Sequence, residues 1–221
     1  EAPNIGSIYS PLAGVSCRFY RRRPVQNMTP QAAPPTISAA AALRWQRRPV
    51  PHASPWLHEE VARRMEERLE WIRVVPAQWV HWQPLAGGIE AHALLQRRYP
   101  EARCTVVEET APWQAAARAR WASAPRWWQP ARWLGGPNTR ASAVQIGAPA
   151  AGEAQMLWAN MALHGSAEPQ ALIARWHAAL AVDGFLMFSA FGPDTLRELR
   201  TAYAQAGWGP PACDFTDMHD W

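Results

Sequence analysis

At 221 residues the chain is long enough for one substantial domain, and a 48% apolar content supplies a core. No apolar run approaches the ~20 residues that a bilayer span needs, so no transmembrane helix is expected, and the amino terminus has no continuous apolar region of the secretory kind. The net charge of +4 is uneven: residues 1–50 hold seven Arg and one Glu, giving +6, while the rest sums to −2. The basic side chains are all Arg, and no nucleic-acid partner is read from them. Cys17, Cys104 and Cys213 are odd in number and far apart, without a metal-like pair. Reduced thiols in a cytoplasmic protein are the simplest account.

Residues 1–53, rich in Pro, Ala and Arg, lack a sustained apolar period and read as a flexible arm; the ordered domain is expected over 54–221. Ser54-Pro55 suits a helix start, and Leu57, Val61, Met65 and Leu69 recur every four residues after it. Trp79 to Trp82 is the first expected strand. A turn over Pro84-Leu85-Ala86-Gly87-Gly88 follows, then a helix from Glu90 to Arg98 and a second strand from Cys104 to Val107 that ends at Glu108. Strand, glycine turn, helix, strand and acid is the layout of a nucleotide-binding half, with the acid spaced to reach a ribose hydroxyl. An ordinary βα turn fits the same residues equally well, because only Gly87 and Gly88 offer glycine's freedom there.

Residues 111–140 begin as a helix and continue irregularly past Trp127-Trp128 and Gly135-Gly136-Pro137; the clustered Trp and Arg are expected to seal the side of the sheet, with stacking on bases or a cofactor as the other reading. Ala141 to Ile146 is a third strand. Met156 to Ala159 is a fourth, ending at Asn160. A helix over Glu168 to Val182 carries Leu172, Trp176 and Leu180 on one stripe and stops at Asp183-Gly184. Phe185 to Phe191 is a continuous apolar run of the kind buried on both faces. Pro193 opens a last helix, with Leu196, Leu199 and Tyr203 on one stripe and Gly207 at its end. The alternation predicts a parallel α/β sheet with helices on both faces and a ligand at the carboxyl ends of the strands. Asp214, Asp217, His219 and Asp220 are metal-ligand types, but an Asp-rich helix start explains them better, and no metal is expected.

Five segments together resemble the class I S-adenosylmethionine-dependent methyltransferases, and in particular the malonyl-acyl-carrier-protein O-methyltransferase family of biotin synthesis. They are SPWLHEEVARRMEERLEWI (54–72), RRYPEA (97–102), LWANMALHG (157–165), DGFLMFSAFGPDTLRELR (183–200) and DFTDMHDW (214–221). The resemblance implies a Rossmann-like sheet and S-adenosyl-L-methionine as cofactor. The family's turn follows D-x-G-x-G-x-G; here Gln83 stands for the Asp, and Leu85, Gly87 and Ile89 for the glycines, so only Gly87 matches. Leu85 and Ile89 are expected to crowd that turn with Cβ atoms. Glu108 matches the ribose-binding acid. Asn160 and Leu163 match the pocket-lining loop after the fourth strand, and the acid after the third strand has no counterpart near Ala143.

The family also carries a closing β-hairpin that is missing before Trp221, so the chain is expected to be a fragment with an exposed sheet edge. An acyl carrier protein is acidic, and Arg197 and Arg200 are candidates to meet it, though a solvated helix face accounts for them too. Methyl transfer to a carboxylate needs alignment and dryness more than a strong base, so few catalytic side chains are expected. Two other readings stay open: a non-catalytic relative that keeps the sheet and a partner surface, and a protein arginine hydroxylase, since a similar FG-x-DTL-x-ELR run occurs in a mitochondrial group serving respiratory complex I.

Overall fold

The computed structural model describes residues 36–121, 144–217 and His219. Its elements run α1 (Ala39–Gln46), α2 (Trp56–Glu67), β1 (Gln78–Trp82), α3 (Pro84–Gly87), α4 (Ile89–Arg98), β2 (Arg103–Val107), α5 (Ala111–Trp121), β3 (Val144–Ile146), β4 (Ala154–Ala159), α6 (Pro169–Ala179), β5 (Leu180–Phe188) and α7 (Arg197–Gln205). The strands form one sheet in the order β3-β2-β1-β4-β5, and every pairing is parallel. The chain order reverses beside β1, which pairs with β2 from Gln78↔Arg103 to Trp82↔Val107 and with β4 from Trp79↔Met156 to His81↔Trp158. The expected doubly wound α/β sheet is therefore present. Among the described residues no helix is long and apolar enough to cross a membrane.

Period-two alternation divides the core between the two faces of the sheet. Trp79, Cys104, Val106, Met156 and Trp158 turn to one face, where Ala62, Met65, Leu95, Trp113 and Ala117 from α2, α4 and α5 cover them. Val80, Trp82, Leu157 and Ala159 turn to the other, where α6 supplies Leu172, Trp176 and Ala179. His81 of β1 is buried on the first face and stacks on His92 of α4, with their Nδ1 atoms 3.0 Å apart. One imidazole donates to the other. Burial holds His92 down to about 4, and burial together with the neighbouring imidazole holds His81 well below its ordinary value, so both are neutral.

Several boundaries differ from the sequence expectations for identifiable reasons. The arm expected through residue 53 contains α1, which Ser38 caps by accepting the Ala41 N–H at 3.2 Å; residues 1–35 lie outside the described residues. Of the expected stripe, Met65 and Leu69 are buried and Val61 packs against the same core, while Leu57 stays 39% exposed and His58 and Ala62 are buried in the first turns of α2 instead. Ser54 does not cap α2. Its Oγ accepts the Ile89 N–H at 2.7 Å, at the start of α4. α6 ends at Ala179, three residues before Val182, because β5 begins at once and pairs Leu180 with Ala154. The Asp183-Gly184 signal marks a bulge inside β5: Asp183 has φ 63°, and a Cβ at Gly184 would lie 2.8 Å from Ala154 O. α7 starts at Arg197, after Leu196 in the left-handed region, and Leu196 and Leu199 remain 45% and 41% exposed. The expected strand from Ala141 is seen from Val144; the Trp127-Trp128 stretch lies outside the described residues.

Gly87 is the tightest point of the turn. A Cβ there would stand 2.6 Å from the Asn160 backbone oxygen, whereas a Cβ at Gly192 would meet nothing within 4 Å. Gly87→Ala is therefore expected to destabilise the fold by about 1–3 kcal/mol, the usual cost of overpacking, and Gly192→Ala to leave the urea midpoint unchanged. Equal midpoints for the two variants in urea titrations would contradict this packing.

Candidate functional site

The chain leaves β1 at Gln83 in a left-handed conformation, φ 50° and ψ 50°, and coils at once into the single turn of α3. Leu85 and Ile89, expected to crowd this turn, instead face the core: Leu85 is 1% exposed and Ile89 packs against the same cluster. Their side chains replace glycine by turning away from the ligand side. Gln83, Ala86 and Gly87 remain on that side.

α4 begins at Gly88, whose φ of +157° and a virtual Cβ 2.8 Å from Ala91 Cβ both favour glycine. Its first amides would be orphans, and α2 satisfies them. Glu59 Oε1 accepts from Glu90 N at 3.0 Å and Oε2 from Ala91 N at 3.1 Å. Glu59 was missed at the sequence level because its partner helix lies 31 residues on.

Asn160, at the end of β4, is 1% exposed and fully engaged. Its Nδ2 donates to His58 O at 2.8 Å and to Gly87 O, and its Oδ1 accepts from Ser189 Oγ at 2.7 Å. The side chain thus ties α2, the turn after β1 and the end of β5 together, while the residue also lines the cavity above the switch point.

That cavity has a volume of about 380 Å³. Gln83, Gly87 and Asn160 form its floor at the ends of β1 and β4; α1 contributes Leu43, Trp45 and Gln46, α2 contributes His58, and α6 contributes Leu172 and Arg175. A cavity of this size at the carboxyl ends of parallel strands, where strand order reverses, is the standard place for a ligand in such a sheet. Glu109 closes one side: it accepts from Gln46 Nε2 at 3.2 Å and from Arg175 Nη1 at 3.3 Å, linking α1 to α6.

Glu108 is turned differently from its neighbour. It is 3% exposed, accepts the Leu85 N–H at 3.0 Å, and lines a side pocket of about 30 Å³ that shares Trp45, Gln46, Gln83 and Glu109 with the main cavity. Burial pushes its carboxyl up to about 8, the Leu85 amide opposes that shift, and the charge of Glu109 adds to it. The other expected residues are dispersed. Leu163 is fully buried one loop away, beside a smaller pocket containing His164 and Phe215. Arg197 pairs with Asp194 on the exposed face of α7, and Arg200 bonds Asp214 and Cys213 O; neither lines the cavity. His58 and Glu109, which do, were not singled out from the sequence as site residues.

No family model matches the chain. Curated proteins do. The malonyl-[acyl-carrier protein] O-methyltransferase of Laribacter hongkongensis is 34% identical over 164 residues, covering 74% of this chain and 54% of that protein. The enzyme of the same name from Gallionella capsiferriformans is 32% identical over 170 residues, covering 76% and 56%, and that from Nitrosospira multiformis 33% over 175 residues, covering 74% and 55%. This chain is a relative of the malonyl-[acyl-carrier protein] O-methyltransferases. It spans about half the length of the curated methyltransferases it matches. A solved complex of the Haloferax volcanii Trm112 methyltransferase activator overlaps the fold at a TM-score of 0.48 with 12% identity, covering 74% of this chain and 64% of that one, a likeness too distant to bear on function.

The raised carboxyl of Glu108 has a signed consequence. Its folded value of about 8 lies above the unfolded value of 4.5, so the stability it contributes is complete at low pH and is lost as pH rises through 8. The buried histidines act in the opposite direction, below pH 6.5. Urea midpoints of the wild type are expected to fall between pH 6.5 and 8.5, and those of Glu108→Gln to stay level. Parallel profiles for the two proteins would show that Glu108 is ionised in the fold.

Proposed function

We propose that this chain binds S-adenosylmethionine in the switch-point cavity and methylates the free carboxyl of a malonyl thioester carried on acyl carrier protein, the reaction of biotin synthesis for which its relatives are named. The observation that carries the reading is the cavity of about 380 Å³, framed by Gly87 and Asn160 where β1 and β4 part. Its residues fit the cofactor. Gln83, Ala86 and Gly87 give a turn without a bulky side chain on the ligand side, and Glu108 and Glu109 give carboxyl oxygens beside β2 for ribose hydroxyls.

When bound, the cofactor supplies a methyl group on a sulfonium. The acceptor carboxylate is already ionised at neutral pH, so the protein has no proton to remove. Its task is to align the two groups and exclude water. α1 covers the cavity, and Arg175 is the arginine that lines it among the described residues. Arg175 holds Glu109 at 3.3 Å and can draw an incoming carboxylate. A cytoplasmic setting suits an acyl-carrier substrate.

A second reading is a non-catalytic relative. The saturation of the α4 amides by Ser54 and Glu59, and of Asn160 by protein groups, favours it, because those donors are already taken. Calorimetric titration with S-adenosylhomocysteine separates the two readings. Micromolar binding, followed by mass-spectrometric detection of one added methyl on malonyl-acyl carrier protein, is expected. The absence of heat at millimolar ligand would leave the non-catalytic reading standing.

A further inference from the structure

The two ring nitrogens of His58 have different fates. Nδ1 lies 2.7 Å from Ala86 O. A carbonyl oxygen only accepts, so Nδ1 carries the proton, and the tautomer this selects is the one with a lone pair on Nε2. No hydrogen bond to Nε2 is made among the described residues, and the residue lines the main cavity. The backbone of the same residue is pinned, because His58 O accepts from Asn160 Nδ2 at 2.8 Å. His58 is therefore an acceptor of fixed tautomer and fixed position, and it lines the cavity beside Ala86, Gly87 and Asn160.

This inference rests on the cofactor reading above. In a sheet of this kind the acid after β2 takes the ribose hydroxyls, so the nucleoside lies towards Glu108 and Glu109. The opposite, amino-acid end of the cofactor then falls on the β1–β4 side, where an ammonium group needs acceptors. The geometry points to His58 Nε2 as the acceptor for the α-ammonium of the cofactor's amino-acid end. α2, which lies outside the glycine turn, supplies a contact that the altered turn does not.

The test pairs two substitutions with two ligands. Asn places an amide near the position of Nδ1 and keeps the Ala86 bond; Gln places one near the position of Nε2 and gives that bond up. S-adenosylhomocysteine carries the amino-acid end, and 5′-methylthioadenosine lacks it. In calorimetric titrations, His58→Asn is expected to weaken S-adenosylhomocysteine about tenfold or more, the loss of one hydrogen bond to a charged group, while methylthioadenosine changes less than about twofold. His58→Gln is expected to restore S-adenosylhomocysteine to within about threefold of wild type. Equal weakening of both ligands by His58→Asn overturns the inference, as does no weakening of either. Loss confined to His58→Gln also overturns it, since the Ala86 bond is then what matters. If the wild type binds neither ligand, the inference and the cofactor reading fall together; if it binds both and the variants do not discriminate, only the inference falls.

Discussion

The site depends on one buried amide. Asn160 sits where β4 ends, at the point where a parallel sheet must part to admit a ligand, and its side chain prevents that gap from being loose. Two donations, to α2 and to the turn after β1, and one acceptance, from the end of β5, lock three separate elements around the opening. A buried amide is costly unless its hydrogen-bonding capacity is used, and here its neighbours use both ends. Gly87 belongs to the same constraint. The lack of a Cβ there lets the turn approach the Asn160 backbone closely enough for the amide to reach it.

Around that brace the cavity has walls of different character. The side next to β2 carries carboxyls: Glu109 spans from α1 to α6, and Glu108 sits behind it, neutralised by its surroundings. The side next to α2 carries an imidazole and backbone groups. α1 lies over the opening, with Trp45 close enough that a Cβ on Gly165 would meet its indole at 3.6 Å. A ligand with a hydroxyl-bearing end and a cationic end is matched by such a division, and the division arises from three elements far apart in the chain.

Much of the fold was legible in the sequence. The apolar runs at Trp79–Trp82, Cys104–Val107 and Met156–Ala159 are too short and too rich in β-branched or aromatic residues for buried helices, and the periodic stretches between them could be little else. Gly87 and Asn160, which the family resemblance put at the cofactor site, both line the cavity, whereas Leu163, named with them, does not. What the sequence hid were the relations between elements. The four-residue period of α2 suggested Leu57 as inward-facing, but the helix turns His58 and Ala62 inward, because Ala86 and α4 offer a hydrogen-bond acceptor and a close surface there. Leu85 and Ile89 looked like obstructions while the turn was imagined with its side chains facing the ligand; a left-handed Gln83 rotates them into the core. The extended run after Asp183-Gly184 read as a separate strand because a bulge and a helix stop share the same local signal.

The cap that Glu59 places on α4 links two positions that a pattern search treats as unrelated. A Cβ on Gly88 would come within 3.3 Å of Glu59 Oε2, so a side chain at one position restricts what the other can be. A glycine motif scored along the turn alone registers this chain as eroded. Scored together with α2, the same residues show the first amides of α4 already satisfied from outside the turn, by Ser54 and Glu59.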